Sequence, residues 1–181
     1  MAVLTLLLAS CSASGTGSVS SGGKGTIAGS TGDSAAGPSP SASPVQVARQ
    51  QATAAYVGMW HDMAVAGRTS DWNSPTLAQF ATGDALSVIS RSLYADHLNG
   101  LVTKGEPKNF PRVTSAKPAT SPLTVMISDC GDSTHWLKYR KDNGQLADEG
   151  GGRRAITAEV KKQAPGSWKV TRFAVEGLGS C

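Results

Sequence analysis

Leu123-Thr124-Val125-Met126-Ile127-Ser128-Asp129 is the stretch on which the fold turns. Leu123, Val125 and Ile127 fall on one side, and Thr124, Met126 and Ser128 on the other. That period of two belongs to a β-strand with one buried face. Asp129 continues the apolar side and is predicted to point inward. Downstream, Thr134–Arg140 sets His135, Leu137 and Tyr139 against Trp136, Lys138 and Arg140. Asp142-Asn143-Gly144 reads as a turn. Ile156, Ala158 and Val160 then alternate with Thr157, Glu159 and Lys161. Ala164-Pro165-Gly166-Ser167 closes a hairpin onto a last strand, Trp168–Val175. A shorter strand is expected around Arg112–Ala116, so the second half reads as an antiparallel meander.

Upstream of Gly105 the period changes to that of a helix. Ala48, Ala52, Ala55, Tyr56, Met59 and Met63 recur at three- and four-residue steps, and Trp60 widens the stripe. This helix should fade at Gly67. Ser74-Pro75 is a start signal for a short helix over 76–81. Thr82-Gly83-Asp84 opens a third, with Leu86, Ile89 and Leu93 apolar and His97 next in that series. Asn99-Gly100 stops it. Trp72, between helices, is expected to plug the core. Helices followed by an antiparallel sheet define an α+β domain.

With these elements in place, the chain resembles the NTF2-like superfamily, in particular actinobacterial secreted proteins and lipoproteins of that group. The residues carrying the resemblance are Tyr56-Val57-Gly58-Met59-Trp60, Ala81-Thr82-Gly83-Asp84-Ala85-Leu86, Val125–Cys130 before Thr134-His135-Trp136, and the terminal Ser180-Cys181. It covers residues 45–181. It implies a cone: N-terminal helices packed in the concavity of a curved antiparallel sheet, with a pocket at the open end. Members of the superfamily include isomerases, dehydratases and non-catalytic binding domains, so fold alone does not decide function.

The first 44 residues read differently. Residues 1–11 end in Leu8-Ala9-Ser10-Cys11, which is similar to a bacterial lipobox. A short apolar run ending in small residues is a signal-peptide pattern, and ten residues are too few to span a bilayer as a helix. No Lys or Arg precedes Cys11, as a signal's start requires, so the pattern looks truncated. Cys11 is the expected site of acylation by diacylglycerol and palmitate. Residues 12–44 are almost entirely Ser, Gly, Ala, Thr and Pro, with Val19 and Ile27 the only large apolar residues. Such a segment buries too little to offset its ordering entropy. As a coil it reaches roughly 30 Å. The expected location is therefore extracytoplasmic, at the outer face of the cell membrane.

Lys plus Arg number 17 and Asp plus Glu 13, a net +4. The two signs are interspersed, which argues for a mixed solvated surface and against a nucleic-acid partner. Cys130 and Cys181 remain after Cys11, and two cysteines in an exported domain point to one disulfide. Free thiols and a metal site are the competing readings. His61, His97 and His135 supply no ligand spacing for zinc, so neither a metal nor a cofactor is expected.

Trp60, His97, Asp129, His135 and Trp136 are the residues expected to line a pocket. An inward Asp129 with a raised pKa could act as a base; the competing role is to accept turn amides near Gly131-Asp132-Ser133. There is no Gly-x-Ser-x-Gly elbow and no phosphate-cradling loop. No acid–base pair of the resembled isomerases maps onto this chain, so no catalytic residue is assigned. The favoured reading is a tethered, non-catalytic module binding a small ligand or a protein partner. An accessory protein of a membrane or cell-wall complex and a cone-pocket enzyme are the alternatives. A homodimer is left open.

Overall fold

The computed structural model describes residues 42–148 and 150–181. Cys11 and nearly all of the Ser/Gly-rich segment lie outside the described residues. Helix α1 spans Pro44–Gly67. Ser43 caps it: its hydroxyl accepts from the Gln46 backbone N–H at 3.3 Å, and the Gln46 side-chain Oε1 accepts from the Ser43 N–H at 3.1 Å. This reciprocal box, with Pro44 just inside, starts the helix one residue before the expected domain boundary. Ala48, Ala52, Ala55, Tyr56 and Met59 are buried along one stripe. α2 is a single turn, Leu77–Phe80, inside the expected range. Its Phe80 ring lies against Gly58, where a Cβ would come within 2.6 Å of it. α3 runs Gly83–Leu98 and ends at Asn99-Gly100.

Four antiparallel strands form the main sheet, in the order β2 (Arg112–Lys117), β3 (Thr124–Asp132), β5 (Arg153–Lys162) and β6 (Trp168–Val175). The alternation holds from Val125 onward, but Leu123, expected on the same inward face, precedes the strand and is 54% exposed. Val125 and Ile127 pair with Val160 and Ala158 in register and face the helices, where all are buried. Bulges between Val113 and Ser115, and between Glu159 and Val160, bend the sheet. The result is the expected α+β fold, with helices packed on one face of a curved antiparallel sheet.

Three further readings are corrected. Leu101–Lys104 forms a strand, β1, that its short sequence does not announce. Only Leu137–Arg140 of the 134–140 segment is a strand, β4, and it pairs with β1 in a separate two-stranded ribbon. β3 therefore pairs directly with β5. The cause is local. The Asp132 carboxylate accepts from both the N–H and the hydroxyl of Thr134, at 2.8 and 2.6 Å, and the Trp136 N–H bonds the Ser133 carbonyl. The chain turns at that point and leaves the sheet. Trp72 does not plug the core either. It is 40% exposed and meets Tyr94 edge-on, with ring centroids 5.2 Å apart.

On the outer face of the sheet, Glu159 is buried beneath Thr171, Lys161 and Arg172, which reach its carboxylate at 2.7, 3.0 and 3.1 Å. Burial pushes its pKa up. The hydrogen bonds from Thr171 and Lys161, and the charges of Lys161 and Arg172, outweigh that and hold it below the ordinary glutamate range. A depressed folded-state pKa adds stability above the unfolded value, and that stability is lost as pH falls through the folded value. The Glu159→Gln variant should therefore lose less stability than wild type on going from neutral pH to below the ordinary glutamate pKa. Urea denaturation across that range checks this, and parallel acid limbs would count against it.

Candidate functional site

A cavity of about 390 Å³ opens between α1, α3 and the inner face of the sheet. That lies within the roughly 300–1,000 Å³ of small-molecule sites. Trp60 and Met63 from α1, Leu93 from α3, Ile156 and Phe173 from the sheet, and Trp136 from the turn before β4 give it apolar walls. Trp60 organises them. Its ring meets Phe173 at 5.4 Å and Trp136 at 6.1 Å, both edge-on, an arrangement aromatic quadrupoles favour.

Polar and charged side chains share the walls with these apolar groups. Asp96, on α3, takes a 2.6 Å hydrogen bond from the Lys138 ammonium on β4. Asp148 accepts the backbone N–H of Lys138 at 3.3 Å. Among the described residues the Arg154 guanidinium makes one bond, 3.3 Å to the Glu176 carbonyl. Among the described residues, the buried Nε1 atoms of Trp60 and Trp136 and the Thr103 hydroxyl have no hydrogen-bond partner.

Of the residues expected to line a pocket, Trp60 and Trp136 are brought together in it. His97 and His135 are not: both side chains are exposed and neither borders the cavity. The buried stripe of α3 runs Ala85, Ile89, Leu93, Asp96, so its final step is three residues rather than four. The inward group is therefore Asp96, with His97 beside it in solvent. Asp129 points inward, as its register requires, and is buried, yet it does not border the cavity. Its Oδ2 accepts from Tyr56 Oη at 2.9 Å and Asn109 Nδ2 at 2.8 Å, and its Oδ1 from the Phe110 N–H at 2.6 Å. The donors come from α1 and the β1–β2 loop, not from the turn after β3. Burial first, then the Asp129 charge and hydrogen bond, push the Tyr56 phenol far above its ordinary pKa. The pair is a neutral phenol held on a fully engaged carboxyl group, with no access to the cavity.

Asp96, Lys138 and Arg154 were missed as wall residues. Arg154 had a legible signal, since it shares the inward parity of Ile156 and Ala158. Lys138 shares the parity of Trp136. Cys130 and Cys181 form a disulfide with Cα atoms 5.9 Å apart. No group of three or more His, Cys, Asp or Glu side chains is arranged to hold a metal among the described residues. No helix among them is long and apolar enough to cross a membrane.

Fold and site together define an α+β domain with an open, tryptophan-walled cavity. No protein-family model and no curated protein sequence matches the chain. The solved structures similar to it in shape include these three. The intermembrane-space region of chloroplast protein ARC6 is 13% identical over 70% of this chain and 94% of its own, at a TM-score of 0.48. A protein from Catenulispora acidiphila is 10% identical over 72% and 91%, at 0.43. A ketosteroid isomerase-like protein from Erwinia carotovora atroseptica is 12% identical over 70% and 92%, at 0.38. None of them lends a residue role to this chain.

Proposed function

We propose that the protein is a lipid-anchored extracytoplasmic module of the NTF2-like type, tethered at Cys11, that binds a small ligand with an apolar body in its cavity without chemistry. One observation carries the binding role: the cavity is open and walled by Trp60, Trp136, Phe173 and Leu93, while Asp129 is walled off and engaged by three donors. Within the cavity, Asp96 and Lys138 are paired with each other. The exposed Trp72–Tyr94 pair is the observation that speaks for an accessory role with a protein partner. The anchor is supported by the lipobox-like Leu8–Cys11 and the Ser/Gly spacer after it, and the disulfide suits an oxidising compartment.

Val88 borders the cavity and is 42% exposed, so a larger side chain there obstructs the cavity without overpacking the core. Calorimetric titration with 1-octanol should give a saturable isotherm in wild type and none in Val88→Phe, with melting temperatures within a few degrees. A non-saturating response, identical in the two proteins, would sink the binding role. In the native host, wild type should partition with membranes and Cys11→Ser should not. A Cys11→Ser protein that stays membrane-bound would remove the anchor.

A further inference from the structure

We infer that the cavity selects ligands carrying a carboxylate, with Arg154 as the group that fixes the charged end; this rests on the binding role proposed above and names its ligand class. The walls offer a ligand an apolar lining and a guanidinium. Trp60, Leu93, Trp136, Ile156 and Phe173 surround an apolar body, while Asp96 and Lys138 are paired with each other.

Arg154 supplies the charge. It lies on the inward face of β5, opposite Gly131 of β3. Gly131 has no side chain to occlude it, and a Cβ there would come within 2.8 Å of Ile156. Five N–H groups are available on a guanidinium. Among the described residues Arg154 uses one of them, in a long bond to a carbonyl. Among the described residues no carboxylate lies within 4.0 Å of it, although Asp96, Asp148 and Arg154 share one cavity. Guanidinium and carboxylate match in geometry, two parallel N–H donors to two oxygens. The fitting occupant is an amphipathic monoanion, its apolar body against the tryptophans and its carboxylate on Arg154. Asp148 opposes that anion and limits its affinity.

Octanoate, 1-octanol and octylammonium share one chain and differ at the head group, so calorimetric titration of the three reads the preference directly. Octanoate should bind at least roughly tenfold tighter than octanol, and octylammonium weakest. Arg154→Gln should lower octanoate affinity to that of octanol and leave octanol unchanged. Arg154→Lys should restore part of the preference, which a merely structural role for Arg154 would not do. Asp148→Asn should tighten octanoate further. Octylammonium binding as well as octanoate, or a preference that survives Arg154→Gln, would overturn the carboxylate assignment while leaving the cavity a binding site. Failure of all three probes to bind would overturn both.

Discussion

Replacing both members of the disulfide, as Cys130→Ser with Cys181→Ser, should lower the unfolding free energy by about 4 kcal/mol. The figure follows from the chain-entropy treatment of a loop whose ends are 51 residues apart. It is a large share of the 5–15 kcal/mol that typical domains possess. Little else would compensate. Residues 176–181 are all exposed. Their other ties are the Glu176 N–H on the Ala155 carbonyl, the Gly179 N–H on the Arg153 carbonyl and the Ser180 hydroxyl under the Ala155 N–H. Chain ends with so few anchors fray. Fraying here reaches the cavity, because Val175 borders it and Glu176 holds Arg154. The double variant should therefore also lose amide protection at Glu176 and Gly179. Guanidinium denaturation and hydrogen exchange measure the two effects. A change under about 1 kcal/mol would show that the tail is held by its backbone bonds alone.

Elements built on long, regular patterns were legible in the residues. The α1 stripe, the Val125/Ile127 face, the Ile156/Ala158/Val160 face and the Trp168–Val175 strand each repeat one period several times, and tertiary contacts reinforce that period. β1 and β4 were not legible as a ribbon. Each is four residues long, too short to establish a period, and their pairing joins residues far apart in the chain. The Asp132 turn that sends β4 out of the sheet depends on a side chain capping two groups of Thr134. Alternation in the following residues carries no trace of that. Legible parity, with an illegible partner strand, made 134–140 look like part of the meander.

The site divides in the same way. Trp60 and Trp136 were readable because large aromatics with inward parity have few other places to go. Asp96 was hidden by a rotation of one residue. A helix of 3.6 residues per turn does not advance its buried face by four indefinitely, and the step from Leu93 to Asp96 restores the average. Nothing local marks an aspartate as the inward residue. Its burial is bearable because Lys138 stands opposite, 42 positions on. Asp129 shows a third case. Its direction followed from strand parity, but its role followed from Tyr56, Asn109 and Phe110, which the chain delivers from two other elements.

That role makes Asp129→Ala the most damaging of the single substitutions considered, at roughly 3–5 kcal/mol. The loss is not the volume of a carboxyl group. Three donors would remain without an acceptor: the Tyr56 hydroxyl, the Asn109 amide and the Phe110 N–H, now bonded at 2.9, 2.8 and 2.6 Å. Each stranded buried donor costs about 1–3 kcal/mol, and entry of water recovers part of the sum. Tyr56→Phe removes one of the three bonds and leaves the carboxylate two, so it should cost less, about 1.5–3 kcal/mol. The two share a bond, and the double variant should fall short of additive. A pH signature separates this network from simple packing. The Tyr56 pKa is raised in the folded state, by burial, then by the charge and hydrogen bond of Asp129. A raised folded-state pKa means the stability is fully present below the unfolded tyrosine value of about 10 and is lost as pH rises beyond it. Wild type should therefore weaken above that pH, and Tyr56→Phe should show a smaller alkaline loss. A destabilisation under about 1 kcal/mol, or equal alkaline slopes in wild type and Tyr56→Phe, would show that the buried carboxyl is not the pin joining α1, the β1–β2 loop and β3.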